Sequence, residues 1–212
     1  MWTGLILAGG ASRRMGRDKA LLRLGGATLL ERAVALVREA GGEPLVVAPA
    51  RPGHDPAGIR RVDEGASGRA AGPLVALRHG LDACGTEIAV ALACDLPLVP
   101  ASLLRHLAAG AGGEHQAVVP RSGGVLQVLA AAYAAACREA IDRHLRSGGR
   151  SVHGFLEEVR VRYLEGEELE AFGGPGIFLN VNTPEDLARA EAILAARGAA
   201  GGAPPEAGGG GP

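Results

Sequence analysis

An apolar run, Leu5-Ile6-Leu7, leads straight into Gly9-Gly10, and cations follow at Arg13, Arg14, Arg17 and Lys19. The run reads as the first strand of an α/β sheet. The glycine pair carries no Cβ, so its backbone N–H groups can come close to an anion. Arg and Lys just beyond can neutralise charge that grows as one phosphorus of a polyphosphate is attacked. The stretch is not a Walker A loop, because Gly-Lys-Ser/Thr is missing and Lys19 lies nine positions after Gly10. Glycines 9, 10 and 16 do not fit G-x-G-x-x-G either. A basic surface turn after an edge strand is the other reading of the same residues.

Downstream, β and α patterns alternate. Thr28 is placed to cap a helix over Leu29–Ala40, with Leu30, Val34 and Val37 on one face and Gly41-Gly42 at its end. Leu45–Ala48 reads as a second strand and Ile59–Val62 as a third, ending at Asp63. Pro73 starts a helix to about Ala83. Glu87–Ala93 is the clearest strand and runs into Cys94-Asp95, and Ser102 is expected to cap the next helix. Strands are expected over Ala117–Val119, Val125–Ala131, Arg160–Leu164 and Phe178–Val181. Helices are expected over Tyr133–Arg146, after Ser151, and from Thr183-Pro184 onward. Uninterrupted apolar strands alternating with helices predict a doubly wound, mostly parallel sheet covered on both faces. Ligands of such sheets lie outside the carboxyl ends of the strands. Gly9, Ala48, Asp63 and Asp95 all fall at expected strand ends and are expected to face one crevice. One domain over residues 1–197 is expected, followed by a disordered Gly/Ala/Pro tail over 198–212.

Asp95 stands just past a buried strand, in a turn stiffened by Pro97. A carboxylate there suits Mg²⁺, which takes oxygen ligands and shares one or two carboxylates with substrate phosphates. An Asp that bonds its own turn fits the spacing equally well. Lys19 is assigned to the polyphosphate, with Arg14 as a weaker partner, while Arg13 and Arg17 read as solvated.

The stretch L-A-G-G-A-S-R-R-M-G-R-D-K, residues 7 to 19, resembles the nucleotide signature of the molybdenum cofactor guanylyltransferases. Gly72-Pro73-Leu74, Ala93-Cys94-Asp95-Leu96-Pro97 and Phe178-Leu-Asn-Val-Asn-Thr-Pro-Glu-Asp-Leu187 match in the same order. The resemblance covers about residues 4 to 195 and implies a Rossmann-like nucleotidyltransferase. It implies transfer of GMP from GTP to the terminal phosphate of molybdopterin, with pyrophosphate released. It further implies nucleotide contacts from Leu7, Ala8, Gly9, Gly10 and Lys19, a nucleoside contact from Asp63, and Mg²⁺ on Asp95. Asn180 and Asn182, read as alternating along a strand and so sharing a face, are placed near the metal and the acceptor. Arg150, in Ser147-Gly-Gly-Arg-Ser151, resembles part of a pterin-side loop and is a candidate for the acceptor phosphate. Strand-end capping by Asp63 and loop closure by the asparagine pair are their alternative roles. The family often carries an Asn after the second strand where this chain has Ala48, so that contact is not carried over. Leu-Ala-Gly-Gly resembles the guanylyl enzymes, whereas cytidylyl relatives tend to carry Leu-Ala-Ala-Gly. A cytidylyltransferase, a sugar-1-phosphate nucleotidyltransferase and a non-catalytic nucleotide-binding protein remain as alternatives.

Composition narrows the partners. Net charge is −1 and aromatic content 3%, which argues against nucleic acid, since both bulk positive charge and a stacking surface are missing. Three cysteines without metal spacing suggest a reduced, cytoplasmic protein. No stretch reaches membrane-spanning length, and Met1-Trp2-Thr3 leads directly into a strand, so neither a membrane partner nor a signal peptide is expected. GTP, the molybdenum cofactor and other molybdenum-cofactor proteins are the expected partners.

Overall fold

Strands that are apolar on both sides need two covering layers, and the chain supplies them. The computed structural model describes residues 1–9, 18–50, 56, 58–63 and 72–200. Among these, ten strands form: β1 Thr3–Leu7, β2 Arg23–Leu24, β3 Ala27–Thr28, β4 Glu43–Val47, β5 Arg60–Val62, β6 Ile88–Ala93, β7 Ala117–Ser122, β8 Val125–Leu126, β9 Ala130–Ala134 and β10 Val161–Leu164. The helices are α1 Leu29–Glu39, α2 Pro73–Ala83, α3 Ala101–Gly110, α4 Cys137–Arg146, α5 Val152–Leu156, α6 Glu167–Glu170 and α7 Pro184–Ala200.

Seven strands stand side by side in the order β10-β7-β9-β6-β1-β4-β5, with β8 paired to β7, while β2 and β3 make a separate hairpin. β6, β1, β4 and β5 are mutually parallel. β9 runs antiparallel to both of its neighbours. The sheet is therefore mixed but mostly parallel, with helices on both faces, as the alternating pattern predicts.

Side-chain alternation splits the core in two. Ile6, Val46, Val90 and Leu92 meet α1 and α3 through Leu30, Val34, Leu103 and Leu107. Leu5, Leu7, Leu45 and Val47 meet α2, α4 and α5 through Leu77, Leu81, Ile141 and Phe155. A smaller cluster of Leu24, Leu29, Leu98, Val181 and Ala190 fastens α7 to the hairpin and to the turn after β6.

Local chemistry explains both ends of α1. Thr28 accepts from the Glu31 amide at 3.1 Å, and the Glu31 carboxylate accepts from the Thr28 amide at 2.7 Å, a complete capping box. Gly41, at φ +81°, takes the left-handed turn that ends α1. Gly80 lets α2 lie close to the sheet, since a Cβ there would stand 2.8 Å from Leu5 Cδ1 and 3.2 Å from Val47 Cγ2. Leu5 and Val47 are fully buried and have nowhere to move. Gly80→Val should therefore destabilise the fold by about 1–3 kcal/mol, read as a lower midpoint in chemical denaturation.

Four expectations need correction. Ser102 does not cap α3: the cap is Pro100, whose carbonyl accepts from Leu103 N at 3.1 Å, and Ser102 already lies inside the helix. The strand expected over Val125–Ala131 divides into β8 and β9. Tyr133, expected in a helix, belongs to β9, where its ring is buried and its hydroxyl donates to Val128 O at 2.7 Å. Ala130–Ala134 has helix-forming composition, but ladders to β6 and β7 on both sides override that preference. Residues 178–181 form no strand. A 3₁₀ turn over Gly174–Phe178 precedes them, and Val181 bonds to a loop carbonyl instead of a sheet ladder. The last helix runs to Ala200, and residues 201–212 of the expected tail lie outside the described residues. No described helix is long and apolar enough to cross a membrane.

Candidate active site

The parallel strands end at one level. Leu7 is in register with Val47 and with Ala93, and Val47 with Val62. One more rung follows: Ala8 N donates to Val47 O at 3.0 Å, Ala48 N to Val62 O at 3.1 Å and Cys94 N to Leu7 O at 3.2 Å. Ala8, Ala48, Asp63 and Cys94-Asp95 thus border one crevice at the carboxyl edge, where ligands of such sheets bind. Leu7 and Ala8 are buried, whereas Gly9 is exposed at the mouth. Gly10 and Arg14 lie outside the described residues.

Lys19 reaches this edge from a single 3₁₀ turn, Lys19–Leu21, capped by Asp18, whose carboxylate accepts from Ala20 N at 3.2 Å. Lys19 Nζ stands 3.6 Å from Asp95 Oδ2 and donates a short hydrogen bond to Asn182 Oδ1. The Lys19 and Asp95 side chains are 24% and 23% exposed, open enough for a ligand yet screened less than surface charges. Burial pushes the Asp95 carboxyl above the ordinary carboxylate range, and the Lys19 ammonium works against that shift. An ionised Asp95 is therefore short of solvation and gains from positive charge beside it. The neighbouring Cys94 thiol is buried and pushed well up, first by desolvation and then by the charges of Asp95 and Asp18. It stays neutral and is no nucleophile.

Asn182 is held from both sides. Val181 N donates to Asp95 O at 2.9 Å, tying the segment to the turn after β6. Asp186 Oδ2 accepts from Asn182 N and from Thr183 N, each at 2.9 Å, and Thr183 Oγ1 accepts from Asp186 N at 3.2 Å. The Asn182 amide in particular holds the Asp186 carboxyl below the ordinary carboxylate range. Asp186 was not singled out from the sequence, although Thr183-x-x-Asp186 has the spacing of a capping box. Thr183→Ala should cost about 1 kcal/mol of stability, measurable as a drop in the melting midpoint.

Asn180 does not share this position. It is exposed and makes no side-chain hydrogen bond among the described residues. The expected alternation needed a strand, and the segment is not one. Asp63 lies at the end of β5 with its side chain about half exposed, 3.9 Å from Arg61 Nη1. Arg150 is exposed in the turn after α4, and its carbonyl passes 4.0 Å from where a Gly72 Cβ would stand. The structure brings Lys19, Asp95 and Asn182 together, places Asp63 along the same edge, and leaves Arg150 beside the start of α2.

A mostly parallel sheet with a lysine and a carboxylate paired at its carboxyl edge suits a nucleotidyltransferase of the doubly wound class, and the comparisons with known proteins show that class. The chain belongs to the MobA-like NTP transferase family, whose model matches residues 4–162. It is 37% identical over 194 residues to a probable molybdenum cofactor guanylyltransferase of Pelotomaculum thermopropionicum, covering 90% of this chain and 92% of that one. It is 35% identical to the molybdenum cofactor guanylyltransferase of Rhodobacter capsulatus, covering 89% and 94%. Among solved structures, the molybdopterin-guanine dinucleotide biosynthesis protein A of Archaeoglobus fulgidus superposes with a TM-score of 0.75 at 26% identity, covering 92% of this chain and all of that one. A 2-C-methyl-D-erythritol 4-phosphate cytidylyltransferase of Thermus thermophilus shares the fold at 22% identity, with a TM-score of 0.69 and coverage of 92% and 100%.

Proposed function

We propose that the protein transfers GMP from GTP to the terminal phosphate of molybdopterin, releasing pyrophosphate and forming the guanine dinucleotide cofactor. The observation that carries this reading is the Lys19–Asp95–Asn182 cluster at the carboxyl edge of the sheet. The named relatives support the choice of donor and acceptor.

The chemistry follows from these positions. An oxygen of the acceptor phosphate attacks the α-phosphorus, a new P–O bond forms, and the bond from that phosphorus to the bridging oxygen breaks. The electron pair leaves with pyrophosphate. A phosphate monoester is largely ionised near neutrality, so no strong base is required. Lys19 places an ammonium against the triphosphate, and Gly9, exposed just past β1, offers its backbone to it. Asn182 fixes where the ammonium points. Catalysis is then mainly positioning and charge stabilisation. Arg14 assists at the phosphates, Asp63 holds the nucleoside, and Asn180 and Arg150 face the acceptor in this reading.

The donors at the cluster are a carboxylate and an amide oxygen, which suit a hard cation. Among the described residues no three His, Cys, Asp or Glu side chains converge, so an ion here would complete its shell with substrate phosphates, as Mg²⁺ does. Asp95 would hold Mg²⁺, with Asn182 beside it, and the bound ion would neutralise charge on the phosphate oxygens. Three unpaired cysteines fit the reducing cytoplasm. Transfer of label from α-labelled GTP to purified molybdopterin, with pyrophosphate counted in parallel, tests donor and acceptor together. Label transfer from CTP instead, or pyrophosphate release with sugar phosphates alone, would overturn the assignment.

A further inference from the structure

One carboxylate near the site does more than cap a helix. α7 begins at Pro184, and Asp186 sits three residues after Thr183, the residue just before that helix. In a capping box the acidic side chain at this spacing returns to the amide of the cap residue. Asp186 Oδ2 does accept from Thr183 N at 2.9 Å, and Thr183 Oγ1 accepts from Asp186 N at 3.2 Å. The same carboxylate oxygen also accepts from Asn182 N at 2.9 Å. Asn182 lies outside the helix, so its amide is not among those that a helix start leaves open. Capping alone gives no reason for that second bond.

The residue before it is fixed as well. Val181 is fully buried among Leu24, Leu29, Leu98 and Ala190, and its amide donates to Asp95 O at 2.9 Å. The Asn182 backbone is therefore held on one side by the turn that carries Asp95 and on the other by Asp186. From that fixed point the Asn182 side chain accepts from Lys19 Nζ. A lysine ammonium rides on a flexible four-carbon stem, so the acceptors around it decide where the charge stands.

We infer that Asp186 is a positioning residue for the transfer reaction: by clamping the Asn182 amide it sets where that asparagine meets the Lys19 ammonium beside Asp95. The inference rests on the guanylyl-transfer reading above. In this role Asp186 acts only through Asn182. Outer groups orient the ligands of metal sites in the same way, and their loss costs about tenfold to a hundredfold in activity. A displacement of about 1 Å at a group that acts on the reacting centre has an effect of similar size. The Asp186 carboxyl is held below the ordinary range, chiefly by the Asn182 amide, so the clamp stays ionised near neutral pH.

Steady-state GMP transfer by the full chain separates positioning from simple capping. Asp186→Ala is expected to lower kcat by about tenfold to a hundredfold with the KM for GTP little changed. Thr183→Ala removes the other half of the cap and leaves the carboxylate on both amides, so it should lower the melting midpoint yet keep kcat near wild type. Asp186→Asn keeps an acceptor oxygen and should recover most of the lost rate. Adding Asp186→Ala to Asn182→Ala should cost little further kcat, because the clamp then has no side chain to position. Equal kcat in wild type and Asp186→Ala, equal losses of kcat in Asp186→Ala and Thr183→Ala, or full additivity with Asn182→Ala would each overturn the inference. Backbone amide exchange adds an arm that needs neither substrate nor variant: the Asn182 amide should be protected in wild type, and an unprotected amide would overturn the inference too. Wild type that transfers no GMP would instead remove the reading beneath it.

Discussion

Asp95→Asn is expected to lower GMP transfer by about three orders of magnitude while leaving the protein folded. The substitution keeps the shape of the side chain and removes its charge. Asp95 Oδ2 faces Lys19 Nζ across 3.6 Å, and the Asp95 carbonyl holds Val181, so the backbone part of the site survives the change. What is lost is the anionic oxygen that would share a cation with the phosphates. Burial raises this carboxyl, so ionising it opposes folding. The sign follows directly. The favourable contribution is fully present below the unfolded carboxylate pKa and is lost as pH rises through the raised folded value. The Asn variant removes that cost but also takes one negative charge from beside Lys19, so its melting midpoint should stay near that of wild type. The same shift makes transfer fall off on acidification sooner than an ordinary aspartate would cause. A transfer assay, a thermal melt and a pH–rate profile check the three statements. Near wild-type turnover in the variant at ordinary Mg²⁺ would refute the role of Asp95.

Lys19→Ala is expected to cost about a hundredfold to a thousandfold in kcat/KM, the range for removing one preorganised charge donor at a reacting centre. Lys19 contacts the cluster at two points, Asp95 and Asn182. Its loss removes the ammonium and also leaves Asp95 without its opposing charge, which moves the Asp95 carboxyl further upward. Lys19→Arg should recover part of the rate, since charge is kept while the point geometry is not. In the proposed reaction both residues act on the same phosphates, so the effects of Lys19→Ala and Asp95→Asn should fall short of additive in the double variant. Full additivity in steady-state kinetics would mean that the two residues work independently.

The parts of the site that rest on short-range chemistry were readable in the sequence. A buried strand running into Asp95, and the capping signals at Thr28, Pro73 and Thr183, each depend on a few neighbouring residues. Parts that depend on distant pairing were not. Ala130–Ala134 takes strand geometry only because β6 and β7 flank it, and nothing in a run of alanines announces that. Asn180 and Asn182 are equivalent only if their segment is a strand, which it is not. The single bond from Val181 to Asp95, made between residues far apart in sequence, gives one of them the site and leaves the other exposed. Asp186 was legible in principle through its spacing from Thr183. Its consequence, holding the asparagine that holds the lysine, needed the three-dimensional arrangement.

That long-range clasp bears on how the protein is made. Asn182 joins Lys19 across 163 positions of sequence. The residues of β1, β4 and β6 all leave the ribosome well before Asn182 does. The bond from Lys19 to Asn182 forms only when the final segment docks, so intermediates stalled before that point should show reduced activity even where their sheet is already formed.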